Sequence, residues 1–161
     1  GQVWTVSVEP NYDGPRTLLG DILATGEDRR FITEDYYIPE EALPQWQYLK
    51  GSKREERTAT NGHKFFYSEG RMAFPDPLDR PSRTIITSEG GTGPSRFKHV
   101  IRDPENGRLR RLIPLELERL DMFPDNHTAG QTDSKRAFFM GNALVCGIIT
   151  KLGEEIYERL H

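Results

Sequence analysis

Between Lys64 and Ile101 the chain sets aromatic and β-branched residues among Gly and Pro so closely that short strands joined by loops are its natural outcome. Phe65-Phe66-Tyr67 and Thr84-Ile85-Ile86-Thr87 are the best strand candidates there. Between Thr87 and Phe97, the run Ser88-Glu89-Gly90-Gly91-Thr92-Gly93-Pro94 carries almost no side-chain bulk and predicts a loop. The same punctuation marks the whole chain, which has 15 Gly and 11 Pro in 161 residues. Hydrophobic residues make up 35%, below the usual range for a compact domain. The 8 Phe, 6 Tyr and 2 Trp give the loops something to pack on, which separates this composition from that of a disordered chain.

Elsewhere the patterns are local. Val3-Trp4-Thr5-Val6-Ser7-Val8 alternates like a strand, and Pro10-Asn11-Tyr12-Asp13-Gly14-Pro15 ends it with turn chemistry. Thr17 to Leu23 reads as a short helix, and Pro39 to Tyr48 as a second with a break at Pro44. Lys50 to Arg57 reads as a charged, exposed connector, and Arg108 to Leu112 as a strand leading into a helix. Pro114 suits the first position of that helix and Glu116 its first turn, with a stop by Phe123-Pro124. A last helix is expected from near Asn142, where Leu144, Ile148, Leu152, Ile156 and Leu160 recur every four residues.

The net charge of −3 conceals an asymmetry. Residues 1–49 hold 3 basic and 9 acidic side chains, residues 50–111 hold 14 and 8, and residues 112–161 hold 5 and 8. The middle third is therefore the part that attracts a polyanion. No run of 18 apolar residues occurs, so no membrane span is expected. A single Cys forbids an internal disulfide and a Cys cluster for zinc. His63, His99, His127 and His161 are scattered without ligand spacing, so no metal site is expected, and the cytoplasm is the default compartment. The Gly1-Gln2-Val3-Trp4 start has neither an initiator Met nor a signal pattern and suggests a fragment.

Two segments carry a resemblance. Arg110-Arg-Leu-Ile-Pro-Leu-Glu-Leu-Glu-Arg-Leu-Asp-Met-Phe-Pro-Asp125 is followed, after about fifteen residues, by Gly141-Asn142-Ala143-Leu144 within Arg136–Val145. They resemble the last two sequence blocks of DNA cytosine-C5 methyltransferases, R-x-L-T-P-x-E-x-x-R-L-Q-G-F-P-D and G-N-A-V. Pro81-Ser82-Arg83-Thr84-Ile85 is similar to the P-x-x-T-[ILV] element that closes the family's target-recognition region. Ile113, Asp121 and Met122 depart from the pattern, standing where the family has Thr, Gln and Gly. The family's nucleophile is a Cys following Pro, whereas Cys146 follows Val145 in an apolar stretch and reads as a packing residue.

The resemblance implies an α+β fold: a small, irregular, mostly antiparallel sheet with long loops over residues 1–125, the target-recognition domain. Residues 126–161 would form a segment and helix returning to a doubly wound α/β methyltransferase domain. It implies sequence-specific recognition of double-stranded DNA by the C-terminal part of a bacterial, S-adenosylmethionine-dependent enzyme of a restriction-modification system. The nucleophile and most of the cofactor site would lie in an N-terminal catalytic domain outside this chain, leaving the fragment inactive alone. Two alternatives keep the fold, a non-catalytic DNA-binding module and a related methyltransferase acting on tRNA.

The residues that would meet DNA are Arg83, Thr84, Thr87, Ser88, Gly90, Gly91, Thr92, Gly93, Ser95, Arg96 and Lys98. Short side chains allow close approach to base edges, and the cations frame the loop for phosphate contact. Glu89 is a candidate acceptor for a cytosine amino group. Lys50, Lys53, Arg54 and Arg57 either touch phosphates or belong to a solvated connector offset by Glu55 and Glu56. By resemblance, Asn142 and Ala143 line the S-adenosylmethionine pocket; Asn142 also suits the N-cap of the last helix. Pro114, Glu116, Arg119, Phe123 and Pro124 take structural roles, with a Glu116–Arg119 ion pair at helical spacing as one option for Arg119. The apolar stripe of the last helix needs a partner: the catalytic domain, the rest of this chain, or a second copy in a homodimer.

Overall fold

The computed structural model describes residues 1–7, 9 and 12–161. The described residues form an α+β fold with two separate antiparallel ribbons and four α-helices. In chain order the helices are α1 (Leu43–Lys50), α2 (Pro114–Leu120), α3 (Asp133–Asn142) and α4 (Cys146–Leu160). The strands are β1 (Lys53–Thr58), β2 (Lys64–Glu69), β3 (Val100–Arg102) and β4 (Leu109–Arg111). Short 3-10 turns precede α1, at Leu19–Ile22, Gly26–Phe31, Glu34–Tyr36 and Glu40–Ala42.

Local chemistry explains most element ends. Pro44 lies in the first turn of α1, where a missing N–H costs nothing, so it starts that helix instead of breaking it. Pro114 opens α2 in the same way. Thr132 caps α3, its hydroxyl accepting from Lys135 N–H, and Asp133 follows in the first turn. The β1–β2 ribbon turns through Ala59–His63, with Gly62 at φ 83°.

Several expected elements differ. Residues 3–7 are exposed and irregular, because no neighbouring strand offers them a ladder; Val8 lies outside the described residues. Thr84–Thr87 forms no strand either: Ile85 is buried in the core, but the backbone there has no ladder partner. The expected connector from Lys50 holds strand β1, and Lys50 itself is buried. Asn142 ends α3 instead of capping the last helix, which starts at Cys146 after Val145. Its side-chain N–H donates back to Phe138 C=O at 2.9 Å.

One core joins Leu19, Ile22 and Leu23 to Ile85, Ile101 and Leu117, with Ala137 and Met140 of α3. Helices α2 and α3 pack on each other and both contribute to this core. A second cluster gathers Tyr36, Ile113 and Leu115, and a third Ile38, Trp46 and Val100. Helix α4 contributes no buried residue. Residues 133–160 are apolar enough on average to resemble a membrane span, but the backbone turns extended at Ala143 and splits them into two helices. Neither reaches the roughly 20 residues needed to cross a bilayer.

Candidate nucleic-acid interface

Beneath the Gly-rich loop lies a buried polar lattice. Asp76 accepts from Val100 N–H and from Arg83 Nε–H, both at 2.9 Å. Glu89 turns inward and accepts His99 N–H at 2.9 Å and His99 Nδ1 at 2.8 Å. Its role is thus to pin the loop to the start of β3; the expectation of a free acceptor for a base is not met. His99 Nε2 meets Ser82 Oγ at 3.0 Å, completing a Ser–His–Glu chain across segments with no sequence signature. His99 is wholly buried, and Ser82 Oγ also donates to Arg83 C=O, so the chain is a staple between segments.

The three cations expected to frame the loop are engaged by the protein itself. Arg83 donates through Nη1 to Phe97 C=O at 2.5 Å, besides its bond to Asp76. Lys98 is buried and donates to the carbonyls of Gly91 (3.0 Å) and Gly93 (2.7 Å). Burial lowers its pKa. Arg96 donates to the carbonyls of Leu49, Gly51 and Gly70 and pairs with Glu69 at 3.2 Å. Carbonyls left bare by irregular backbone need donors, and long cationic side chains reach them. Lys50 serves likewise, giving its ammonium to Lys98 C=O at 2.7 Å, and burial pulls its pKa down to about 8.

What the loop over residues 84–93 leaves outside is short and polar. Thr84, Thr87, Ser88, Gly91, Thr92 and Gly93 are exposed, and Ser95 is half-buried. Gly91 has φ 77°, which turns the loop outward. Gly90 has a different use: a Cβ there would meet Ser134 Cα at 2.9 Å, so its missing side chain lets the loop lie on α3.

The first of the two resembling blocks, residues 110–125, is tied into the fold by buried polar contacts. Arg110, wholly buried, donates Nε–H to Asp103 at 2.8 Å and forks onto Glu116 with two bonds of 2.8 Å. Glu116 also accepts N–H groups of Ile113 and Ala24, each at 3.0 Å. It thereby covers the start of α2, where Ile113 has no side-chain oxygen to offer. Arg119 does not pair with Glu116; it forks onto Asp125 and reaches Asp28 at 2.7 Å. Phe123 packs against the core as the chain leaves α2, and Pro124 follows it. Met122, where the family has Gly, adopts φ 61°.

A cleft of about 390 Å³ opens between Arg83–Ile85, the end of α2 and the α3–α4 break, lined by Gly141, Ala143, Leu144 and Asp121. A Cβ at Gly141 would fall into the backbone of Ile86–Thr87, so only Gly allows this approach. Asp121 is buried with Oδ2 unpartnered, and burial raises its pKa to about 6. Asn142 is exposed, between Gly141 and Ala143, which line the cleft. Of the two residues expected at a cofactor pocket, Ala143 lines this cleft and Asn142 is not among its lining residues.

The family model for C-5 cytosine-specific DNA methylase matches residues 16–158. This chain therefore belongs to the cytosine-C5 DNA methylase family. It is 36% identical over 156 residues to the type II methyltransferase M.Sau3AI of Staphylococcus aureus, covering 97% of this chain and 35% of that protein. Its fold is similar to that of the Entamoeba histolytica methyltransferase EhMeth, with a TM-score of 0.56 and 17% identity, over 96% of this chain and 45% of that one. The chain thus spans about a third of the length of the curated relative.

Proposed function

We propose that this chain is the duplex-reading part of a DNA cytosine-C5 methyltransferase of a restriction-modification pair. A target base inside a duplex must be turned out before its C5 can be reached, so one part of such an enzyme must hold the duplex and read its neighbours. The observation that carries this reading is the construction of residues 84–93. Buried Glu89, His99 and Lys98 clamp the loop from below, while Thr84, Thr87, Ser88, Gly91, Thr92 and Gly93 face outward. A rigid rim of small polar groups suits contact with base edges and phosphates. We assign Arg83, Arg96 and Lys98 to positioning this rim.

The remaining polypeptide would supply the nucleophile and most of the cofactor pocket. S-adenosylmethionine would supply the methyl group. Ala143 and Asn142 would form one wall for it, and the apolar face of α4 would pack on the catalytic sheet.

Fluorescence anisotropy of the chain with a labelled duplex of randomised sequence, across a salt series, tests the reading. Binding is expected to weaken steeply with salt. Thr92→Asp, which puts a negative charge on the exposed rim, should weaken it about tenfold. Absence of binding to any duplex at low salt overturns the reading.

A further inference from the structure

The β1–β2 ribbon stands away from all three core clusters, yet Arg96 ties its root to the Gly-rich loop. That guanidinium bonds the carbonyls of Gly51 and Gly70, on either side of the ribbon, and pairs with Glu69. In register, Lys53 faces Glu69, Glu55 faces Tyr67 and Arg57 faces Phe65; these pairs share one face. That face turns toward α1: Tyr48 Oη donates to Glu55, and the Lys53 ammonium lies over the Tyr48 ring.

The opposite face is exposed along its whole length. It carries Arg54 beside Ser68, Glu56 beside Phe66, and Thr58 beside Lys64. Glu56 is answered within the face by Lys64 at 3.0 Å. Arg54 has no acidic partner among the described residues; its guanidinium stacks 4.8 Å from the centre of the Phe66 ring. Phe66 is 62% exposed, an apolar ring left largely to water apart from the Arg54 guanidinium over it. Arg71, just past the ribbon root, is also exposed and without an acidic partner among the described residues.

We propose that this ribbon is a second DNA-reading arm, which enters the major groove beside the Gly-rich loop with its Arg54–Phe66 face toward the base edges. The inference rests on the duplex-reading role proposed above. Its dimensions fit: strands of six residues run roughly 20 Å, two strands lie about 5 Å apart, and the groove is about 12 Å wide. Its chemistry fits as well. An arginine without an acidic partner matches the acceptor edge of guanine or a phosphate, an exposed Phe matches a thymine methyl, and Thr58 and Ser68 offer hydroxyls. The acidic residues do not oppose this, since Glu55 is held on the inner face by Tyr48 and Arg57. The Arg96 clamp would make ribbon and loop grip one duplex as a unit.

The test measures the unmodified chain, Arg54→Ala, Phe66→Ala and Thr92→Asp against the same labelled randomised duplex, over a salt series. Arg54→Ala is expected to bind about tenfold more weakly, with the slope of log affinity against log salt reduced by about one, and Arg54→Lys to recover part of the loss. Phe66→Ala should lose affinity with the slope unchanged. Circular dichroism melts that match the parent would show that these exposed substitutions leave the fold intact. Methyl green, which fills the major groove, should displace the chain. If the parent and Arg54→Ala bind alike while Thr92→Asp weakens binding, the ribbon proposal fails and the loop reading stands. If no form binds any duplex, both fail. If Phe66→Ala changes only the sedimentation of the chain, the ribbon is a protein contact and the proposal fails.

Discussion

Asp121 has a carboxylate oxygen buried without a partner at the rim of the α3–α4 cleft, where the family has Gln. Burial alone raises its pKa to about 6. The folded state therefore holds its proton more tightly than the unfolded chain. The stability this contributes is complete below the unfolded value near 4 and is lost as pH rises through about 6. Asp121→Asn, which needs no proton to stay neutral, should stabilise the chain by roughly 2–3 kcal/mol at about pH 7 and leave it little changed at about pH 4. Urea unfolding at the two pH values checks this; equal gains at both would show that the carboxylate is solvated. Met122 beside it carries a side chain at φ 61°, a conformation that Gly adopts without strain. From the sequence, both departures were visible as departures, but neither burial nor dihedral can be read from residue type.

At the scale of elements, the β4–α2 unit depends on one buried fork. Arg110 spans from the strand to Glu116 in the helix and to Asp103 at the end of β3. Arg110→Met leaves Glu116 buried without its cation, while Asp103 keeps Arg29 at 3.1 Å, and should cost about 3–5 kcal/mol, as for other broken buried pairs. Denaturant titration measures it, and a loss below about 1 kcal/mol would mean that solvent reaches the pair. The strand at β4, the Pro start of α2 and its end before Phe123 were all legible, because each depends on neighbours in sequence. Thr132-Asp133 is a readable start for helix α3, but the stronger apolar period further on predicts the last helix from Asn142. The break between α3 and α4 comes instead from tertiary docking. Gly141 sits on the backbone of Ile86–Thr87, and Cys146 N–H is held by Asp121 C=O at 2.9 Å.

For the molecule as a whole, α4 is the unfinished part. Leu144, Ile148, Leu152, Ile156 and Leu160 all lie exposed, a continuous apolar stripe that water penalises. Studied alone, the chain should self-associate through this stripe in a concentration-dependent way. Leu152→Glu with Ile156→Glu should make it monomeric by sedimentation velocity, and a monomeric parent at high concentration would overturn the expectation. Family, fold class and the helical periods were readable from the chain alone, because blocks, caps, turns and apolar repeats are encoded by residues a few positions apart. Tertiary structure decided where the charges went. Arg83, Arg96, Lys98 and Lys50 look alike in sequence to cations that meet a polyanion, but irregular backbone leaves buried carbonyls that only long donors can satisfy. That demand arises between segments distant in the chain, so it exists only once they are packed.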